Sequence, residues 1–187
     1  MTVTRCSWAE GSDLERAYHD EEWGVPLLDD RGLFELLTLE GAQAGLSWRL
    51  VLSRREYYRR AFHGFDINKV AEMSDTTLDA LLADPGLIRH RQKIASVRDN
   101  ARAALRVIEE KGSFGRFVWS FVDGTPQVNR PLTRGAVPAR TERSDAMSKA
   151  LRKRAFGFVG STICYAFMQA SGMVDDHLAD CFRARPV

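Results

Sequence analysis

The sequence predicts an all-α fold, a bundle of helices joined by short turns. Most segments place apolar residues at helical spacing, as Ile94, Val97, Ala101, Ala104 and Ile108 do on one face of a long segment. Strand-like alternation is scarce. Residues that cap helices precede several of these segments, and glycine or proline follows them. These three observations together favour helices packed on helices.

The predicted helices begin at residues that commonly cap helix N-termini. We expect the first to start at Asp29 or Asp30 and to run through Leu39. The stretch 123–140 carries three prolines and little periodicity, so it is expected to be the one long loop. The other predicted helices are 48–62; 75–84, capped by Ser74; a long helix around 94–108, closed by Gly112; 114–122, opened by Ser113; 145–156, capped by Ser144; and 162–171, capped by Ser161.

Length and composition are those of an ordinary globular protein. The chain has 187 residues, 44% hydrophobic and 28% charged, and its net charge of +2 is too small to indicate a polyanion partner by itself. No stretch approaches the roughly 20 apolar residues of a membrane span. Three widely separated cysteines argue against a disulfide framework. We expect a cytoplasmic protein without membrane contact, folded as a single domain that is divisible into a lobe of 1–30 plus 141–187 and a helical lobe of 31–140.

A glutamate lies on the apolar face of the first predicted helix. Leu33, Leu36, Leu37 and Glu40 fall at helical spacing, so three leucines and an acid share one face. Two interpretations are open at this point. Either the face turns towards solvent in its last turn, as helix ends commonly do, or the carboxylate is buried because it serves a function.

A glycine-containing turn between two helices follows a basic stretch. Residues 149–170 read as helix, tight turn and helix, with Gly157 and Gly160 in the turn. Ser161 begins the next helix, where unpaired N–H groups and the helix dipole favour an anion. The pattern resembles a helix-hairpin-helix motif and favours contact with DNA phosphate. The alternative is that the glycines only turn the chain and the basic residues form a solvated face.

Four potential metal ligands lie near the two ends of the chain. Cys6 and His19 are near the beginning, and His177 and Cys181 are near the end, four residues apart and on one face if that segment is helical. Two thiolates and two imidazoles suit tetrahedral zinc and leave no open position for water, so the metal would be structural. The alternative is that these are ordinary core or surface residues. Cys164, on an apolar helix, is expected to be a packed thiol.

Six stretches of the chain form a specific combination, although no single piece is specific. They are RCSWAEGSDLERAYHDEEWGVP, LEGAQAGLSW, IRHRQKI, VWSFV, SDAMSKALRKRAFGFVGSTICYAFMQA and DDHLADC. Together they resemble the 3-methyladenine DNA glycosylase I family, within the helix-hairpin-helix glycosylase superfamily, over nearly the whole chain. The resemblance implies an enzyme that hydrolyses the N-glycosidic bond of 3-methyladenine in DNA, with a structural zinc on residues matching Cys6, His19, His177 and Cys181.

The resemblance also implies a pocket for the excised base. Glu40 matches the family's pocket glutamate and is the expected catalytic residue, and Tyr18 matches a tyrosine beside the base. Trp48 matches a stacking tryptophan, and Trp8 and Trp23 match aromatic residues of the same N-terminal region. Since the methylated base is a cation in DNA, a desolvated carboxylate and aromatic rings would favour it over neutral adenine.

The contacts with DNA are expected on two further turns. In the turn at Gly45, Leu46 is the candidate wedge that fills the stack vacated by an extruded base; the alternative is an ordinary core leucine. Arg91 and Lys93 are expected near the DNA backbone. The expected partner is double-stranded DNA that contains alkylated adenine, bound by a monomer.

Two acids remain unassigned by the resemblance. Glu15 stands where a second pocket tyrosine is expected, and it either faces solvent or adds negative charge near the pocket. Asp175 lies near the position where many relatives have an aspartate that positions water or stabilises the oxocarbenium ion, but the resembled family is not expected to depend on such an acid, and capping or support of the metal site is the alternative. No lysine stands out as a Schiff-base nucleophile, so we expect a monofunctional hydrolase without lyase activity.

Two other function classes compete with the glycosylase. A non-catalytic helix-hairpin-helix module would bind DNA with steep salt dependence but without preference for alkylated DNA. A zinc hydrolase would need a vacant coordination site, which the four candidate ligands do not leave.

Overall fold

The computed structural model describes residues 3–184, and over this range the chain is mostly helical, as predicted. Single 3-10 turns lie at Ser7–Gly11, His63–Phe65, Ser120–Val122 and Arg134–Ala136. The helices are α1 (Asp13–Glu21), α2 (Asp30–Gln43), α3 (Trp48–Ala61), α4 (Ile67–Ala71), α5 (Asp75–Leu81), α6 (Arg91–Lys111), α7 (Phe114–Trp119), α8 (Glu142–Lys153) and α9 (Ser161–Ala170).

Most of the predicted caps form. The Asp29 carboxylate accepts a hydrogen bond from the Gly32 N–H, so the first cap is Asp29 rather than Asp30. Ser74 and Ser113 cap α5 and α7 as predicted. Gly112 ends α6 with φ of 80°, a left-handed conformation that glycine adopts without strain.

Two local predictions are wrong, and a condition attached to a third is not met. Thr141, rather than Ser144, caps α8: Thr141 Oγ1 accepts from the Ser144 N–H, while Ser144 Oγ accepts from the Thr141 N–H, which is a capping box that starts the helix three residues earlier. Ser161 is the first residue of α9, and its N-cap is Gly160, which has no side chain to accept a bond. The segment of His177 and Cys181 is not helical.

Helix α2 runs through the middle of the hydrophobic core. Every residue from 33 to 42 is buried, because α2 packs against α3, α6, α7 and α9. The core is one continuous cluster that includes Leu33 of the predicted helical lobe and Met147 of the predicted terminal lobe. At Gly41 a Cβ would lie 3.2 Å from the Phe158 side chain, so glycine lets α2 approach the turn between α8 and α9.

Two short strands add a feature that the sequence did not predict. β1 (Gln127–Val128) pairs in parallel with β2 (Val174–Asp175). This pairing ties the long loop after α7 to the segment that follows α9. Over the described residues, no helix is both long and apolar enough to cross a membrane.

Candidate functional site

A cavity of about 620 Å³ opens between the 3-10 turn at Ser7–Gly11, α1, the end of α2 and the beginning of α3. Its wall combines aromatic rings with acidic and amide groups. The lining includes Trp8, Glu15, Tyr18, Trp23, Glu40, Gln43, Leu46, Trp48, Gln169 and Asp176. The size and the lining are typical of a small-molecule or base-binding site.

Glu40 is the buried acid of this wall. It is 4% exposed, and its Oε2 atom has no hydrogen-bond partner among the described residues. Burial raises the pKa of Glu40 to about 8, because an ionised carboxylate loses its hydration there. The interpretation in which the helix end turns this carboxylate to solvent is therefore wrong.

Two further polar atoms without a partner line the same cavity. The Tyr18 hydroxyl and the Trp48 Nε1 are buried and make no hydrogen bond within the described part of the chain. The two ring centroids lie 5.3 Å apart. Burial, with a smaller contribution from Glu40, raises the pKa of Tyr18 well above its ordinary value, so its hydroxyl stays a donor. Since buried polar groups are normally satisfied, these atoms and Glu40 are poised for a polar ligand.

Trp8 and Trp23 extend the aromatic wall away from the acid. Their ring centroids are 5.2 Å apart, and Trp8 lies 6.4 Å from Tyr18. Trp23 also packs edge-on to His177 at 4.6 Å. The wall of the cavity is thus continuous with the histidines near the two chain ends.

Cys6, His19, His177 and Cys181 form one buried cluster, as their spacing suggested. Their ligand atoms all lie within 4.8 Å of one another. Measured from sulfur to nitrogen, Cys6 to His177 Nδ1 is 3.7 Å, Cys181 to His19 Nε2 is 3.4 Å, and Cys181 to His177 Nδ1 is 3.6 Å. A tetrahedral zinc ion with ordinary bond lengths gives an edge of about 3.6 Å between a sulfur and a nitrogen ligand.

The cluster has the supporting contacts that metal-binding histidines need. His19 Nδ1 is 2.8 Å from an oxygen of Asp20, which Arg5 holds in turn. Burial lowers the pKa of His177 to about 4 and keeps the imidazole neutral, the form that binds metals. Asp175 accepts a hydrogen bond from the His177 N–H and lies 3.4 Å from Arg130, so it supports this segment and does not line the cavity.

The turn before α3 presents an apolar tip. Gly45 has φ of 78° and is exposed, and Leu46 is 37% exposed on the rim of the cavity. The alternative of a core leucine at position 46 is therefore wrong.

The prediction that Lys93 contacts the DNA backbone is contradicted. Its ammonium is buried and donates to the carbonyls of Ala42 and Ala44 at 2.8 and 2.7 Å, where it completes the C-terminus of α2. Burial lowers the pKa of Lys93. Arg91 remains at the surface, where it forms an ion pair with Asp79.

The turn between α8 and α9 differs in detail from its prediction. The Gly157 N–H donates to Asn100 Oδ1 at 2.7 Å, so it is not free to bind a phosphate, and a Cβ at this position would lie within 3.3 Å of Ser96, so the glycine lets the turn approach α6 closely. The left-handed residues of the turn are Ala155 and Phe158 rather than the glycines. Gly160 and Ser161 do lie at the start of α9, as predicted.

Sequence reasoning missed several polar residues of the wall, three of which carry amide or carboxylate groups. Gln43, Gln169 and Asp176 line the cavity. Asp176 accepts hydrogen bonds from Gln169 Nε2 at 2.7 Å, Tyr165 Oη at 2.6 Å and Asn129 Nδ2 at 2.7 Å. The sequence drew attention to Asp175 instead, because neighbouring aspartates cannot be distinguished before the backbone direction is known.

The fold and the site together define a helical protein with an aromatic pocket. The buried acid and the rings of this pocket fit a flat, polar ligand. The wall offers rings for stacking, a hydroxyl and an indole N–H as donors, and a carboxylate that a positive charge would stabilise.

Comparison with known proteins agrees with this description. The profile of the methyladenine glycosylase family matches residues 8–184. DNA-3-methyladenine glycosylase 1 of Escherichia coli (strain K12) is 52% identical over 96% of both chains, and DNA-3-methyladenine glycosylase of Haemophilus influenzae is 51% identical over 96% of this chain and 97% of that one. The structure of 3-methyladenine DNA glycosylase I from Staphylococcus aureus, solved to explain 3-methyladenine recognition, superposes with a TM-score of 0.95 over the full length of both chains at 33% identity. The chain belongs to the methyladenine glycosylase family.

Proposed function

We propose that the protein is a base-excision repair enzyme that hydrolyses the N-glycosidic bond of 3-methyladenine in alkylated DNA. The observation that carries the proposal is Glu40, a buried carboxylate with an oxygen that no described residue contacts by a hydrogen bond, at a cavity walled by aromatic rings. The family and its relatives named above support the same substrate.

The pocket suits a cationic purine better than a neutral one. 3-Methyladenine in DNA carries a positive charge, and an aromatic wall favours a cation by about 0.5–2 kcal/mol. As the cation enters, it lowers the pKa of Glu40 from its raised value, so the carboxylate ionises and accepts charge-assisted hydrogen bonds. Adenine brings no such charge, so it leaves the burial cost of the acid uncompensated.

The chemistry then needs little acid catalysis. The charged base leaves the sugar as a neutral molecule, so no proton has to be supplied to it. Binding the cation in the closed pocket, with Tyr18 and Trp48 offering donors to the ring edge, stabilises the departing base. The expected enzyme is a monofunctional hydrolase, because none of the described residues that line the cavity is a lysine that could form a Schiff base.

The base must leave the duplex to reach Glu40, at a cost of a few kcal/mol. We propose that Leu46 enters the vacated stack, because its apolar side chain is exposed on the rim of the pocket. The start of α9 at Gly160 and Ser161, together with Arg91, would bind phosphates of the same duplex in the manner of a helix-hairpin-helix motif. A monomer, folded as one domain, suffices for these contacts.

We also propose a structural zinc ion on Cys6, His19, His177 and Cys181. The sulfur-to-nitrogen distances and the donor set fit tetrahedral zinc, and four protein ligands leave no position for a reacting water. The metal would join the two chain ends and support the wall of Trp8 and Trp23. It would supply no step of the hydrolysis.

Release of free base from methylated DNA tests the function. The wild-type protein should release 3-methyladenine, and Glu40→Gln should lower the single-turnover rate on the order of a hundredfold, because one preorganised electrostatic contact with the cation is lost. Glu35→Gln, on the same helix but away from the cavity, is the matched control and should retain the rate. Absence of release by the wild type, with DNA still bound, would instead identify a non-catalytic DNA-binding module.

Metal content and unfolding test the zinc proposal. About one zinc per chain is expected, and Cys181→Ala should lose it together with several kcal/mol of stability, since binding energy at such a site is folding energy. Cys164→Ala is the control, because Cys164 is buried and donates to the Val159 carbonyl outside the cluster. A Cys181→Ala protein that keeps its metal, or a wild type that binds none, contradicts the proposal.

A further inference from the structure

An ion pair lies at the mouth of the pocket that the proposed chemistry does not use. Arg49 Nε donates to Glu15 Oε2 at 2.9 Å. Glu15 is buried and lines the cavity, whereas the Arg49 side chain is 54% exposed. The departure from the expected tyrosine at position 15 therefore comes with an arginine partner on α3.

The two partners are held unequally. Glu15 is fixed by its own helix, since Ser12 Oγ donates to Glu15 Oε2 at 2.8 Å and accepts from the Glu15 N–H at 3.2 Å. Arg49 has one hydrogen bond, through Nε, and its guanidinium packs over Gly11, but no described residue accepts a hydrogen bond from its Nη1 or Nη2. Arg49 also lies in the first turn of α3, where the helix dipole disfavours a cation. Arg49 is thus the partner that can leave.

Arg49 is well situated to meet DNA. It follows the exposed tip at Leu46 by three residues and adjoins Trp48 of the pocket wall. If Leu46 enters the duplex as proposed above, the strand that carries the lesion passes over the first turn of α3. A guanidinium with two free nitrogens binds a phosphate through two hydrogen bonds. This interaction is stronger than its single hydrogen bond with Glu15.

We propose that Arg49 is a DNA phosphate-binding residue that Glu15 holds in the free protein and releases to the strand beside the extruded base. This inference rests on the proposed function for its geometry. The exchange leaves Glu15 in the pocket wall without its cation, still oriented by Ser12. The pocket therefore gains a second negative group only when DNA is bound, which couples backbone contact to the preference for a cationic base.

Salt-dependent binding to an undamaged duplex tests the inference without any catalysis. Arg49→Met should reduce the slope of log affinity against log salt concentration by about 1, the value for one lost phosphate contact. Arg49→Lys should keep the slope, because lysine retains the charge. Arg60→Met is the control, since Arg60 is exposed at the other end of α3, stacked over Tyr57.

Glu15→Gln tests the competition. It should strengthen binding at low salt by up to about fivefold, since an ion pair whose arginine is largely solvated is worth up to about 1 kcal/mol, and it should have no such effect when combined with Arg49→Met. The inference is overturned if Arg49→Met keeps the wild-type slope, or if Glu15→Gln strengthens binding equally with and without Arg49. Failure of base release by the wild type would overturn the proposed function but would leave this salt measurement readable.

Discussion

Helix α2 carries two buried glutamates, one in each half, and their surroundings are opposite. Glu35, 9% exposed, accepts hydrogen bonds from Arg55 Nε at 2.5 Å and from Arg59 Nη2 at 2.8 Å. Glu40, 4% exposed, has an oxygen without any described partner. Arginines thus compensate the charge of Glu35, whereas Glu40 on the same helix has no such compensation from the described residues. A fold can supply arginines for a buried carboxylate, and since no described arginine pairs with Glu40, the contrast supports the proposal that a ligand brings the positive charge.

The lack of hydrogen-bond partners at Glu40 does not extend to the backbone carbonyls beside it. Lys93 donates to the carbonyls of Ala42 and Ala44, so the end of α2 is capped by a buried ammonium. Among the described side chains near Glu40, the cavity-lining Tyr18 and Trp48 each keep a polar atom without a partner, and so does Thr38 on α2 outside the cavity lining. The contrast between the two halves of α2 therefore concerns the site, not the quality of the packing.

Glu35→Gln should give the larger change in stability. Removing the charge leaves Arg55 and Arg59 without their shared carboxylate, and we expect the free energy of unfolding to fall by about 2–3 kcal/mol, at the low end for a broken buried pair because Arg59 is partly exposed. Denaturant titration measures this difference. A stability equal to the wild type would remove the basis for calling Glu35 the compensated acid.

Glu40→Gln should raise the free energy of unfolding, and by less than Glu35→Gln lowers it. Because burial raises the pKa of Glu40 to about 8, the native state binds more protons than the unfolded state between the ordinary glutamate pKa and pH 8, and wild-type stability falls as pH rises through that window. The neutral amide removes this slope. We expect the variant to exceed the wild type by about 1–2 kcal/mol near pH 8 and by less at pH 5.

Thermal or denaturant unfolding at both pH values checks the prediction. A Glu40→Gln protein that is less stable than the wild type at pH 8 would mean that the carboxylate makes a stabilising contact, and the two halves of α2 would then be alike.

Much of this architecture was predictable because it depends on local chemistry. The caps at Asp29, Ser74 and Ser113 follow from side chains that bond the first turn of their own helix. The Cys and His cluster was predictable from residue type. A cysteine and a histidine near each end of the chain, with Cys6 at one end and Cys181 at the other, together form a tetrahedral ligand set. The helical spacing assumed for His177 and Cys181 was unnecessary, because a turn brings them together.

The errors at Lys93 and Gly157 arose because the partner of each residue is distant in sequence. Lysine is a residue type that commonly binds phosphate. Only the approach of α6 to the end of α2 shows that two carbonyls accept hydrogen bonds from Lys93. The Gly157 N–H likewise meets Asn100, far away in the chain. For Glu15, the sequence left two interpretations open, and the contact with Arg49 decides between them: the carboxylate lines the pocket.

The most direct test is the titration of Glu40 itself in the free protein. The carboxyl carbon of labelled glutamate can be followed by NMR across pH, with Glu40→Gln to identify its resonance. We predict a pKa near 8 for this group, and a downward shift when a cationic purine analogue is bound. A Glu40 that titrates at the ordinary value for glutamate would be a hydrated acid, and it would contradict the claim that this carboxylate is buried to receive a charged base.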